Sequence, residues 1–379
     1  MKKITLSFIF SMFFVLSIFA QDYEIDSFTK TFTDSNRGNR RVTAKIYFPK
    51  QQTVNIEKYP VIVFGHGFVM NYAAYENFFD TLVARGYIVA FVTTEGSVFA
   101  NHRAYSEDLA FMVNEVRNEA SKSDSPIFNL AGYSNALLGH SMGGAAAIVA
   151  ASQVDVNTLV AFAPAKLRFD TFTPASNVIE ESLVFSGSSD GVTKPNEHHI
   201  PLYNSLGSSC KYFISITGGA HCYYAKPSGY CDFGERFSSR NISVTRSEQQ
   251  EIMFRYVIPW LDYKLKNDIA SYRAFRDLLN NDDDVTYENG CNNELTPSIE
   301  KLPETSFNVQ VGPNPTRSFV NINTSDEYEL EKVEVYNQYG KLFLNSKSKQ
   351  VDLSSLQRGI YLIKVYSKGK TITKKIVVE

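Results

Sequence analysis

Gly139-His140-Ser141-Met142-Gly143-Gly144 is the stretch that decides how this chain folds. It has the form G-x-S-x-G. Leu137-Leu138 before it read as strand, and Ala145-Ala146-Ala147-Ile148-Val149-Ala150-Ala151 after it read as helix. A strand that turns at once into a helix folds its backbone back on itself. Side chains flanking such a turn would collide, so glycines are needed there. The turn presents the Ser141 hydroxyl at the C-terminal end of a sheet and aims the Met142 backbone N–H at the same place.

The pattern continues outward on both sides. Apolar runs at 43–48, 61–64, 87–93, 136–138, 159–163, 182–186 and 211–217 read as strands, several of them buried on both faces. Amphipathic stretches at 72–85, 103–120, 142–152, 196–206 and 247–266 alternate with them. Strand and helix in alternation predict an α/β domain: a mostly parallel sheet flanked by helices.

A serine hydroxyl is a weak nucleophile until a base takes its proton. The chain has six histidines. His66 and His140 belong to glycine turns, His102 opens a helix, and His198 and His199 fall in a helical stretch. His221 follows the last central strand in the loop Gly218-Gly219-Ala220-His221, where a base is expected. The orienting acid must lie between the two. Among Asp155, Asp170, Glu180, Glu181, Asp190 and Glu197, only Asp190 directly follows a strong strand, through Gly187-Ser188-Ser189. Gly65-His66-Gly67-Phe68 follows the strand at 61–64, and the Phe68 N–H is expected to join that of Met142 as an oxyanion donor.

The ends of the chain differ from this middle. Lys2-Lys3, an apolar run to Phe19 and Ala20 read as a secretory leader over 1–20, too short for a membrane anchor. The catalytic domain is expected over 21–291. Residues 292–305 hold Asn292, Asn293, Pro297 and Pro303 and read as a linker. Beyond it, short period-two strands predict a small all-β sandwich over 306–379. Base exceeds acid in this last part and the reverse holds in 21–305, which supports separate modules. The net charge of -2 gives no reason to expect nucleic acid, and a monomer is expected. Four cysteines in an exported chain suggest two disulfides. Three pairings exist. Cys222–Cys231 is favoured by its short, turn-rich spacer, leaving Cys210–Cys291.

Together the motifs resemble the cutinase-like polyester hydrolases, including bacterial enzymes that cleave poly(ethylene terephthalate), within the α/β-hydrolase superfamily. The resemblance covers about 40–291. It rests on Gly65–Phe68, Gly139–Gly144, Ala163-Pro164, Asp190 with Pro195, Gly218–His221 and Trp260-Leu261. It implies ester hydrolysis through an acyl-enzyme, and substrate contacts at Phe68, Phe169 and His198. Members typically carry a tryptophan just after the Ala-Pro; here the stretch reads Ala165-Lys166-Leu167-Arg168-Phe169. The last part resembles the type IX secretion sorting domain of Bacteroidota, through Val311–Pro315, Val335–Lys341, Leu356–Tyr361 and Lys374–Val378. That implies the type IX machinery as partner and an extracellular destination.

No metal or cofactor is expected. Asp282-Asp283-Asp284 lacks the spacing and glycine of a calcium loop. His198-His199 would point apart on a helix, with no acidic partner at ligand spacing. Three readings compete: a polyester or cutin hydrolase, a carboxylesterase or lipase for small or lipid esters, and a non-catalytic surface-binding protein on a hydrolase scaffold.

Overall fold

The computed structural model describes residues 23–50, 58–291, 309–324, 330–337, 342–367 and 370–378. The leader at 1–20 and the linker at 292–305 lie outside the described residues. The chain divides into two compact units, Met1–Glu294 and Leu295–Glu379.

In the first unit the elements follow in the order β1 (Ile25–Asp34), β2 (Arg40–Pro49), β3 (Tyr59–Gly65), α1 (Glu76–Val83), β4 (Ile88–Val92), α2 (His102–Ala120), β5 (Ala131–His140) and α3 (Met142–Ala151). Then come β6 (Thr158–Phe162), α4 (Phe172–Ala175), β7 (Ser182–Gly187), α5 (His199–Ser205), β8 (Lys211–Ile216), α6 (Gly229–Ser238), α7 (Arg246–Lys266), α8 (Ile269–Asn281) and β9 (Val285–Asn289). Among the described residues these strands form one nine-stranded sheet in the order β1-β2-β4-β3-β5-β6-β7-β8-β9. From β4 through β3 to β8 neighbouring strands are parallel, while β1, β2 and β9 pair antiparallel at the edges.

Alternate residues along each central strand feed opposite cores. Val61 and Val63 of β3 pack toward α2 and α3, against Leu109, Val113 and Ile148. Ile62 and Phe64 feed the core on the other face, which also holds Met253 and Trp260 of α7, and the Phe64 ring meets Phe78 of α1 at 4.8 Å. Every residue of β3, β4, β6 and β7 is buried, which explains their continuous apolar reading. The edge strands are different. β9 is exposed after its first residue, and β1 mixes polar with apolar positions. The apolar runs between 43 and 217 leave out both edges of the sheet, β1 and β9, because water-facing strands carry little hydrophobic signal. Helices α6 and α8 were missed as well.

Helix starts follow local chemistry. Asn101 caps α2 through Ala104 N–H, and Thr245 and Glu248 form a capping box on α7. Trp260, on α7, is fully buried, and its indole N–H donates to Thr158 Oγ1 at 2.9 Å. Disulfides join Cys222 to Cys231 and Cys210 to Cys291. No described helix is long and apolar enough to cross a membrane.

The second unit packs two antiparallel sheets. One orders β10 (Val309–Gly312), β11 (Phe319–Thr324) and β14 (Gln350–Asp352). The other orders β13 (Leu342–Ser346), β12 (Lys332–Asn337), β15 (Gly359–Ser367) and β16 (Lys370–Val378). Val320, Ile322, Val333, Val335, Ile363, Val365 and Ile376 form its core.

Two glycines test how tightly α3 is seated. A Cβ at Gly143 would lie 2.1 Å from the Gly65 carbonyl oxygen, and one at Gly139 would lie 2.3 Å from that of Gly143. Gly143→Ala is therefore expected to destabilise the first unit by about 1–3 kcal/mol or more through forced backbone movement. Gly234→Ala, in α6 with nothing within 4 Å, is expected to be neutral or stabilising by up to about 1 kcal/mol. Urea unfolding of both variants checks the contrast.

Candidate active site

The turn between β5 and α3 holds Ser141 at φ 57 and ψ -121, a conformation that side-chain-bearing residues rarely adopt. Such strain costs about 1–3 kcal/mol and persists only where the surroundings fix it. Here Ser141 N–H donates to Phe162 O at 2.9 Å, and Ser141 O accepts the N–H groups of Ala145 and Ala165 at 3.2 and 3.0 Å. The Gly65–Phe68 loop is strained next door: Val69, a β-branched residue, has φ 55.

Ser141 follows β5, Asp190 follows β7 and His221 follows β8, so all three stand at one end of the sheet. Parallel strands bring them together. His221 Nε2 lies 3.0 Å from Ser141 Oγ, and His221 Nδ1 lies 2.7 Å from Asp190 Oδ2. A carboxylate accepts, so Nδ1 carries the proton and the Nε2 lone pair faces the serine hydroxyl. From α7, Gln249 brackets the residue before the imidazole: its Oε1 accepts Ala220 N–H and its Nε2 donates to Ala220 O, each at 2.8 Å.

His140 supplies a second brace. Its Nε2 lies 3.0 Å from the His221 carbonyl, which can only accept, so this nitrogen carries the proton. Its Nδ1 accepts the Tyr75 hydroxyl at 2.9 Å, and that oxygen accepts Gly67 N–H at 2.7 Å. One buried chain therefore ties the loop before Phe68 to the backbone of His221. Burial holds His140 well below the usual histidine range, so it stays neutral.

Charge is arranged with the same economy. Burial works against a protonated His221, but the charge and hydrogen bond of Asp190 outweigh it and raise its pKa. Burial works against an ionised Asp190, yet His221, His199 and the Thr193 N–H lower its pKa. Val192 and Thr193 N–H both donate to Asp190 Oδ1, at 2.9 and 2.8 Å. Thr193 Oγ1 sits 3.1 Å from Asp190 Oδ2, 2.8 Å from His221 Nδ1 and 2.9 Å from His199 Nε2. His199 Nδ1 lies 2.8 Å from Ser186 Oγ. Burial pushes the His199 pKa down to about 3, so its ring is neutral. One polarity satisfies the set: Ser186 donates to His199 Nδ1, His199 Nε2–H to Thr193, and Thr193 O–H to Asp190.

That arrangement corrects the sequence reading of His198-His199, which found no acidic partner. The turn after β7 folds Asp190 back to within 3.5 Å of His199 Nε2. Ligand atoms of Asp190, His199 and His221 lie within 4.8 Å of one another, as a metal would need. Each is already engaged in the hydrogen bonds above, so the donor set fits proton positioning rather than an ion.

Phe68, Met142 and Ser141 line one cleft of about 200 Å³ together with His102, Leu167 and Thr193. Phe169 and His198 are not among its lining residues. Phe169 lies under the Arg103 guanidinium, 4.7 Å from it. His198 Nδ1 accepts Lys166 N–H at 3.0 Å and so braces the cleft wall from behind. Lys166 and Arg168 on that wall are exposed. Sequence reasoning missed the bracing set of Tyr75, Thr193, His199 and Gln249. The second residue of the serine motif was its only visible sign.

Two family matches were found. The model described as PET hydrolase-like matches residues 27–283, and that described as a secretion system C-terminal sorting domain matches residues 310–379. No curated protein matches the chain. The second match marks the chain for export through the type IX secretion system to the cell exterior. The first spans well over half of the sequence and coincides with the α/β unit that assembles Ser141, Asp190 and His221; the chain belongs to the PET hydrolase-like family of hydrolases.

Proposed function

We propose that this protein is a secreted serine ester hydrolase that cleaves polyester or cutin-like esters, poly(ethylene terephthalate) included, through an acyl-enzyme. The observation that carries the reading is the continuous line from Asp190 Oδ2 through His221 to Ser141 Oγ, at 2.7 and 3.0 Å. Ser141 Oγ attacks the ester carbonyl carbon while His221 Nε2 takes its proton. The carbonyl oxygen becomes an oxyanion facing the N–H groups of Phe68 and Met142. The tetrahedral species collapses, and the departing alkoxide leaves as the alcohol with the proton from His221. Water then repeats the sequence on the acyl-enzyme and frees the acid and Ser141. Asp190 keeps the imidazole in the productive tautomer and stabilises its cation. The leader at 1–20 would start export and the sorting domain would complete it.

A second reading, a carboxylesterase for small esters, draws support from the cleft wall. Lys166 and Arg168 stand exposed on the stretch where the polyester-hydrolase resemblance expects a tryptophan, and the cleft of about 200 Å³ takes in a small ester. Release of product from polyester film supports the first reading. Turnover of a soluble short-chain ester with no release from film favours the second.

Ser141→Ala is expected to lower kcat on a soluble ester by roughly 10⁶-fold. Equal activity of variant and wild type would sink the mechanism. The base works only when neutral. Because Asp190 raises the His221 pKa above its ordinary 6.5, kcat/KM should fall as pH drops through a midpoint above that value. Asp190→Asn removes the main influence that raises the His221 pKa and leaves burial opposed only by the charge of Glu235. The rate should drop about 10⁴-fold and the remaining acid limb should move to lower pH. Thr193→Val leaves His199 Nε2–H and Asp190 short of a partner in a dry site, at a cost of about 1–3 kcal/mol in urea unfolding. Thr193→Ser, which keeps the hydroxyl, should recover most of that loss.

A further inference from the structure

Helix α6 is amphipathic the wrong way round. Its one buried residue is Glu235, while Tyr230, Phe233 and Phe237 are 57%, 67% and 63% exposed. The three aromatics fall at i, i+3 and i+7, so they share one face. The Phe233 and Phe237 rings touch each other, with centroids 4.9 Å apart.

The opposite face is fastened to the body by polar and covalent links. Cys231 is bonded to Cys222, next to His221. Glu235 Oε2 accepts Cys222 N–H at 2.5 Å, and its other oxygen accepts the Ser239 hydroxyl. Asp232 pairs with Arg246 at 2.6 Å. A helix that hides its carboxylate and displays three rings leaves water-exposed apolar area that serves only a contact with something else. Tyr133, at 90% exposure, offers a contrast: it stands at the other end of β5 from Ser141, and single exposed apolar residues are ordinary.

The displayed face runs into the cleft. The Tyr230 ring meets the Phe68 ring edge-on at 6.1 Å, and Phe68 meets His102 at 6.5 Å. A row of rings therefore leads from α6 to the wall beside Ser141. We propose that the aromatic face of α6 is a docking surface for the solid polyester itself, which it holds against the cleft while one ester group enters. This rests on the ester-hydrolase reading above. The occupant follows from continuity: only a substrate far larger than the cleft can cover Ser141 and α6 together, and flat, weakly polar polymer suits exposed rings.

The test uses the full-length protein and the double variant Phe233→Gln/Phe237→Gln, whose positions face solvent. Soluble short-chain ester turnover should stay within about twofold of wild type. Adsorption to polyester film, read as protein lost from solution, should fall at least about tenfold, with product release from film falling alongside. Adsorption to hydrophilic cellulose should not change. Unchanged adsorption to film overturns the proposal. So does a variant that loses soluble-ester turnover in step with film release, since the helix would then be part of the cleft. A wild-type dimer abolished by the substitutions would assign the face to a second copy, and loss confined to phospholipid vesicles would assign it to lipid; each overturns the polymer. Ser141→Ala keeps the two readings apart: it should abolish turnover yet adsorb like wild type. Retained turnover in that variant would defeat the ester-hydrolase reading without touching the adsorption result.

Discussion

The backbone of α3 lies directly against the backbone of β3 where Gly143 meets the Gly65 carbonyl, with no room for even one methyl group. Much else depends on that contact. It sets the depth of α3, a helix with all of its residues buried between the sheet and its neighbours. It also fixes the turn that carries Ser141 relative to the loop that carries Phe68. The two N–H groups proposed to receive a negative oxygen belong to these two segments. A hydrogen-bond donor displaced by even an ångström loses most of its effect on a developing charge. The local strain at Ser141 and Val69 is tolerated because packing on both sides leaves the chain no alternative.

Around this frame, neutral histidines serve as struts. His140 and His199 are both kept unprotonated by burial, and each has its two nitrogens assigned by its partners. Their bonds are directional and cannot reverse without leaving a carbonyl or carboxylate facing another acceptor. Only His221 is positioned to gain a proton, because only it has a buried carboxylate at 2.7 Å. One side-chain type thus does two jobs, separated by whether its N–H bonds the carboxylate directly, as in His221, or a hydroxyl, as in His199.

The central strands and the proposed catalytic trio were legible because their signals are local or strongly constrained by order. A buried parallel strand is an apolar run wherever it occurs, and the loops after three such strands held Ser141, Asp190 and His221. The edges of the sheet were not legible. Residues 285–289 carry Thr286, Glu288 and Asn289 because every position after Val285 meets water, and such a stretch reads as loop. The role of His199 was hidden for another reason. Its partners Ser186, Thr193 and Asp190 come from a strand and a turn whose return path is tertiary, so adjacency to His198 was misleading. Helix α6 escaped because Pro227, Ser228 and Gly229 at its start read as a turn and Gly234 breaks its run. The favoured cysteine pairing was readable from a nine-residue separation, whereas Cys210 and Cys291, 81 apart, were paired by subtraction.

That second crosslink bears on processing. Cys291 is the last described residue before the segment leading to the sorting module, and Cys210 stands at the start of β8. Chain ends ordinarily fray, and an outermost antiparallel strand such as β9 is the first to peel. Here the strand is riveted just beyond its final residue. A protease that trimmed everything downstream would leave a new terminus already anchored to the sheet, so maturation by cutting would not begin to unravel the enzyme it releases.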